Sequence, residues 1–142
     1  MNNFSNPIKS RQSFPRLTSP CNIGSMQLNN RMVMSPMTTA YCNEDQTPSE
    51  RLIRYFEERA RGGVGLITME LITVDETHRY MHRSMTLGDD RYIEHHRRIT
   101  EAVHQHGAKV QPQISHTGPE SVAPMFGGPQ PMGPSVNVAP VW

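Results

Sequence analysis

Thr38, Glu70, Gln113 and His116 share one circumstance: each stands where an apolar run has just stopped. The three runs end in Ser35-Pro36-Met37-Thr38, in Met69-Glu70-Leu71, and in Gln111-Pro112-Gln113-Ile114-Ser115-His116. A hydroxyl, a carboxylate, a bidentate amide and an imidazole can together line a pocket for a flat ligand that accepts and donates hydrogen bonds. The spacing is equally compatible with ordinary polar groups at strand ends.

Other chemistries lack their spacing. His95-His96 and His104/His106 lie on one predicted helix, without a carboxylate or cysteine at a motif interval such as H-E-x-x-H, so a solvated helix face is expected and no metal site. G-x-S-x-G, G-x-G-x-x-G and the P-loop pattern do not occur, and "GGVG" opens an apolar run instead of following one. Met32, Met34 and Met37 read as adaptable packing. Cys21 and Cys42 are a lone pair without metal-ligand spacing.

The elements that must position the four polar residues alternate in type. Residues 1 to 22 carry Pro7, Pro15 and Pro20 without either regular period and read as a polar arm. Ser25 to Leu28 and Arg31 to Met34, joined by Asn29-Asn30, predict a β-hairpin. Thr47-Pro48-Ser49-Glu50 has the form of a capping box with threonine as the cap. Leu52, Ile53, Phe56 and Ala60 then make a helical stripe, and Gly62-Gly63 supplies the stop. "VGLITM" follows as a strand apolar on both faces.

The pattern repeats. After a loop rich in charge and histidine, Asp89 or Asp90 can cap a helix bearing Ile93, Ile99, Ala102 and Val103, which Gly107 ends before "AKVQPQI". Strand, helix, strand, helix, strand is βαβαβ, hence an α/β fold with a parallel sheet. Pro112 cannot donate to a ladder, so a bend or unpaired position is expected in the third strand. From Gly118 onward Gly and Pro recur at short intervals and no further helix is expected.

Composition narrows the partners. Fourteen basic and thirteen acidic residues leave a net charge of +1 with no basic run, which argues against nucleic acid. No apolar stretch approaches the ~20 residues of a membrane span, and no signal-peptide pattern opens the chain. A soluble cytoplasmic protein is the expectation. A hydrophobic share of 35% is low for a chain of 142 residues and confines the expected core to the middle.

Taken together, "NRMVMSPMTT", "ERLIRYFEERARGGVGLITME" and "AVHQHGAKVQPQISHTG" resemble, in order and spacing, the opening third of the Old Yellow Enzyme family, which includes the 2,4-dienoyl-CoA and 2-enoate reductases. "PMGPS" is similar to the family's loop after the third strand. The resemblance implies a (β/α)₈ TIM barrel that holds FMN at the carboxyl ends of its strands and uses NAD(P)H to reduce activated C=C bonds. By motif position it implies that Pro36, Met37 and Thr38 contact the isoalloxazine and that Gln113 reads its pyrimidine edge. It puts Leu71 where the family has a small residue, and Tyr41 near a substrate-facing tyrosine of some members. His116-Thr117-Gly118-Pro119 stands where the family has His-x-Gly-Arg, so that arginine is replaced.

A barrel of this type needs about 250 residues. The expectation is therefore an incomplete barrel: an arm at 1–22, strands one to three of an FMN-binding barrel at 23–118, and a truncated Gly/Pro-rich loop at 119–142. Such a piece, inactive alone, needs a complementing polypeptide carrying the rest of the barrel, or a homo-oligomer. The rival reading is a non-catalytic interaction module that binds or dimerises through its Pro-rich ends.

Overall fold

The computed structural model describes residues 14 to 135; the proposed arm up to residue 13 and the last seven residues of the 119–142 loop lie outside the described residues. The elements in chain order are helix α1 (Pro15–Thr18), strands β1 (Cys21–Ile23), β2 (Met26–Leu28) and β3 (Val33–Met34), helix α2 (Glu50–Arg61), strands β4 (Leu66–Thr73) and β5 (Met85–Thr86), helix α3 (Ile93–His104) and strand β6 (Lys109–Ser115). Short 3₁₀ turns precede α3 and follow β6.

A hairpin is present, but not the one expected. β1 and β2 pair antiparallel around Gly24-Ser25, where Gly24 takes φ +57°, a value glycine reaches without steric cost. Asn29 and Asn30 serve as anchors instead of a turn. Asn29 Nδ2 donates to the Gly107 carbonyl at 2.9 Å, and Asn30 Nδ2 donates to the Gly63 carbonyl at 2.7 Å. Each asparagine thus satisfies the loop that ends one of the two long helices. Close approach at this corner also requires Gly65, whose added Cβ would stand 2.8 Å from the Asn30 backbone and side-chain oxygens.

The main sheet is parallel, with β3 and β6 on opposite edges of β4 and β5 pairing the carboxyl end of β4 on the β3 side. β5 falls in the stretch expected to be loop. Two residues are too few to show a period, so its pairing comes from β4 and not from local pattern. The sheet is open: no closed barrel forms, and β6 pairs only with β4 among the described residues.

Helices α2 and α3 cover one face. Leu52, Ile53, Phe56 and Ala60 of α2, Ile99 and Val103 of α3, and Ile67, Met69 and Ile72 of β4 form one buried cluster. The stripe on α2 is as the periodicity predicts; on α3, Ile93 is exposed and the preceding Tyr92 is buried in its stead. The cap of α2 is also displaced. Ser49, not Thr47, is the N-cap and accepts from the Leu52 amide at 3.2 Å. The Thr47 hydroxyl donates to Asp45 Oδ1 at 2.6 Å, closing the loop before the helix.

Pro112 has the consequence expected of it. The pairing of β4 with β6 runs Thr68↔Gln111 and then Leu71↔Gln113, so two residues of β4, Met69 and Glu70, oppose Pro112 alone. This is a β-bulge, placed where the partner strand has no N–H to give. Its effect is a change of parity. Ile67 and Met69 face the helices before it, Ile72 faces them after it, and Thr68 and Leu71 are the half-buried positions between.

Candidate ligand face at the strand ends

The bulge decides which side chains share the open face. Thr68 and Gln111 are paired in register, and Gln111 Nε2 donates to Thr68 Oγ1 at 3.1 Å. Leu71 and Gln113 are paired one step further toward the carboxyl ends. Without the extra residue Leu71 would turn into the helix-packed core. Gln113 is exposed, and neither its side-chain amide nor the Thr38 hydroxyl has a hydrogen-bond partner among the described residues, so both remain free for a ligand.

Glu70 is buried to 1% and turns toward the segment that leaves β3. Its Oε2 accepts from the Thr39 amide at 2.6 Å and the Thr39 hydroxyl at 2.8 Å, while the Cys42 thiol lies 3.7 Å from Oε1. Burial pushes the Glu70 carboxyl above its ordinary range; the Thr39 hydroxyl, the Thr39 amide and the Cys42 thiol oppose that rise without cancelling it. Burial and then the charge of Glu70 push the Cys42 thiol up, so it is an inert core sulfur.

The expected ring-contact residues therefore fall as follows. Pro36, half-buried, and Met37 and Thr38, exposed, lie on the segment that Thr39 ties to β4; Leu71 and Gln113 lie on the adjoining strands. Tyr41 is not brought to them. Its ring lies under the Arg51 guanidinium at 3.7 Å and edge-on to Tyr55 at 6.0 Å, both on α2. Its neighbour Ala40 instead borders a mostly apolar cleft of about 470 Å³, lined also by Tyr80, Met81, Val122, Met125 and Phe126 together with His82 and Arg83. That cleft joins loops following β3, β4 and β6, the end of the sheet where α/β proteins bind ligands. Its residues were not legible as a group because three separate loops supply them.

His116 belongs to a different cluster. His78 Nδ1 lies 2.9 Å from Asp75 Oδ2, and His116 Nε2 lies 3.6 Å from the same oxygen. The Gly118 amide donates to His116 Nδ1 at 3.0 Å, which leaves that ring's proton on Nε2, facing Asp75. Only His78 is within hydrogen-bond distance of Asp75, with His116 an ion-pair neighbour; the ligand atoms of the three residues lie within 4.8 Å of one another, a spacing that joins the loops after β4 and β6 and could also hold a metal ion. Partial burial pushes the Asp75 carboxyl up, but bonds from the Thr77 hydroxyl, the His78 and Thr77 amides and the His78 ring outweigh it and hold the group below the usual carboxylate range. The helix-face histidines are not simply solvated: His96 Nε2 lies 2.8 Å from the Thr86 carbonyl, and burial holds its ring below the usual histidine range.

A parallel sheet with polar residues gathered at its carboxyl ends is the arrangement at which α/β proteins bind ligands. The model of the NADH:flavin oxidoreductase / NADH oxidase family matches residues 16–139, and the chain belongs to that family. It is 43% identical over 123 residues to an NADH oxidase of Thermoanaerobacter brockii, covering 86% of this chain and 19% of that protein. Among solved structures it is similar to the Old Yellow Enzyme homologue of Zymomonas mobilis, with 28% identity, a TM-score of 0.78, and coverage of 89% of this chain and 35% of that one. It is also similar to a 2-naphthoyl-CoA reductase solved with 2-naphthoyl-CoA, with 25% identity, a TM-score of 0.85, and coverage of 90% and 21%. The chain thus spans about a fifth to a third of the length of these relatives. No helix among the described residues is long and apolar enough to cross a membrane.

Proposed function

We propose that this chain forms the first three strands of a (β/α)₈ barrel and supplies the ring-binding face of an FMN-dependent NAD(P)H oxidoreductase of the ene-reductase type. The observation that carries the reading is the register of Leu71 opposite Gln113, beside a segment bearing Pro36, Met37 and Thr38 that Glu70 ties down. Bound FMN would supply the hydride chemistry that links NAD(P)H to an activated C=C bond. The chain's own part is to bind and orient. An amide with a free donor and acceptor, a free hydroxyl and flanking apolar groups fit the edge and plane of a flavin ring. Gln113 would pair with the pyrimidine edge, Thr38 would donate near a ring carbonyl, and Leu71 and Met37 would exclude water. The apolar cleft beside Ala40 suits the hydrocarbon part of an enone or enoyl substrate.

Completion of the barrel by further polypeptide is part of this reading. Supporting it are the far edge of β6, unpaired among the described residues, and the exposure of Val33 (53%), Met37 (62%) and Ile114 (60%), apolar groups that a closed barrel would cover. Flavin content and mass measured together test it. The chain alone is expected to lack bound FMN, and a complex with the remaining strands to retain it stoichiometrically. A monomer of this chain purified with stoichiometric FMN would overturn the requirement for completion.

A further inference from the structure

We propose that Glu70 is a positioning residue for the flavin face: the bulge in β4 presents its carboxylate to Thr39, and this contact sets Thr38 and Ala40 relative to Leu71 and Gln113. The inference rests on the flavin reading above. It goes beyond it by assigning the geometry of that face to a residue that need not touch the ring.

Three observations carry it. First, Glu70 has no cationic partner among the described residues, although it is 1% exposed. A carboxylate buried without a cation is costly, and a neutral side chain could tie two loops together at less expense. Second, the contact is specific. Both donors to Oε2 come from Thr39, the Cys42 thiol donating to Oε1, and Thr39 Oγ1 in turn accepts from the Tyr41 amide at 3.2 Å, so the turn 39–41 hangs from one oxygen of Glu70. Third, that turn is strained. Ala40 sits at φ +55°, a left-handed conformation that is disfavoured for a residue with a Cβ. The clamp holds Ala40 there, and Ala40 borders the apolar cleft while Thr38 stands at the other end of the same turn.

The origin of the clamp lies in Pro112. Its missing N–H coincides with the bulge, the bulge adds one residue to β4, and Glu70 and Leu71 take the orientations they have because of that residue. Positioning and ring contact are therefore products of one irregularity.

The test uses isotope-labelled full chain and the FMN-loaded complemented protein, each as wild type, E70Q, E70A and T39V. In the chain, E70Q and T39V are expected to keep the folded spectrum while moving the amide resonances of residues 38 to 41. In the loaded protein, E70Q is expected to weaken FMN retention about tenfold, the loss of one charge-assisted contact, and to shift the flavin absorption bands. T39V should act in the same direction. If E70Q moves the loop amides but leaves FMN affinity and flavin spectrum at wild-type values, the positioning role is overturned. Unmoved loop amides in E70Q would overturn the clamp itself. Failure of the wild-type complemented protein to take up FMN would instead defeat the flavin reading, and this proposal with it.

Discussion

Leu71 stands opposite Gln113 in the parallel β4–β6 pair, one residue after the bulge that Pro112 permits. The pair brings an apolar branch and an unsatisfied amide to one open face. If this is the ring-binding face, the two residues should respond differently to substitution. Q113A removes a bidentate partner and should weaken FMN retention by the complemented protein by about 1–2 kcal/mol, roughly tenfold. L71A removes bulk where the family carries a small residue and should leave retention unchanged or tighten it. Equilibrium dialysis of FMN checks both.

The displaced helix cap gives a prediction about stability alone. Ser49 accepts the Leu52 amide and donates to the Tyr41 carbonyl, so S49A should lower stability by about 1 kcal/mol, the usual loss for an N-cap. T47A should cost less, because the Thr47 hydroxyl serves an exposed turn around Asp45. Urea midpoints at constant slope would separate them.

Asn30 ties the segment before β3 to the end of α2. Its Nδ2 donates to the Gly63 carbonyl and its Oδ1 accepts the Met32 amide at 3.0 Å. N30A should lose both and cost about 1–3 kcal/mol. N30D keeps the acceptor and should recover part of the loss. Thermal unfolding of the two variants reads the difference.

Two carboxylates should give stability opposite dependences on pH. The folded Glu70 carboxyl titrates above its ordinary range, so between its unfolded and folded values the unfolded chain has released a proton that the folded chain keeps. Stability should fall as pH rises through that window, and E70Q should remove this fall. Asp75 titrates below its ordinary range when folded, so its contribution is present above that range and lost as pH drops through the depressed value. D75N should flatten the acid limb. Denaturation midpoints measured across the acid range would show both effects.

What was legible in the sequence follows from how local each signal is. The stripe of α2 and the apolar run of β4 each carry their period within one element, and both appear as read. Pro112 announced an irregularity because its chemistry is local, yet which residues opposed it depended on a strand some forty positions away. The hairpin was misplaced because Asn29-Asn30 suits a turn as well as an anchor, and only the positions of Gly63 and Gly107 in space decide between them. Thr47 and Ser49 are both good caps, and the Tyr41 carbonyl selects the second. For the site, Thr38, Leu71 and Gln113 were legible as strand ends. The Glu70–Thr39 contact, the Asp75–His78–His116 cluster and the apolar cleft were not, since each joins side chains from separate loops.

The most direct test of the ring-binding face is the side-chain amide resonance of Gln113 in the complemented protein, recorded without and with FMN. Gln111, already bonded to Thr68, serves as the internal reference. The account predicts a large shift of the Gln113 amide on FMN loading and little change at Gln111. Retention of FMN with the Gln113 amide unmoved would contradict it.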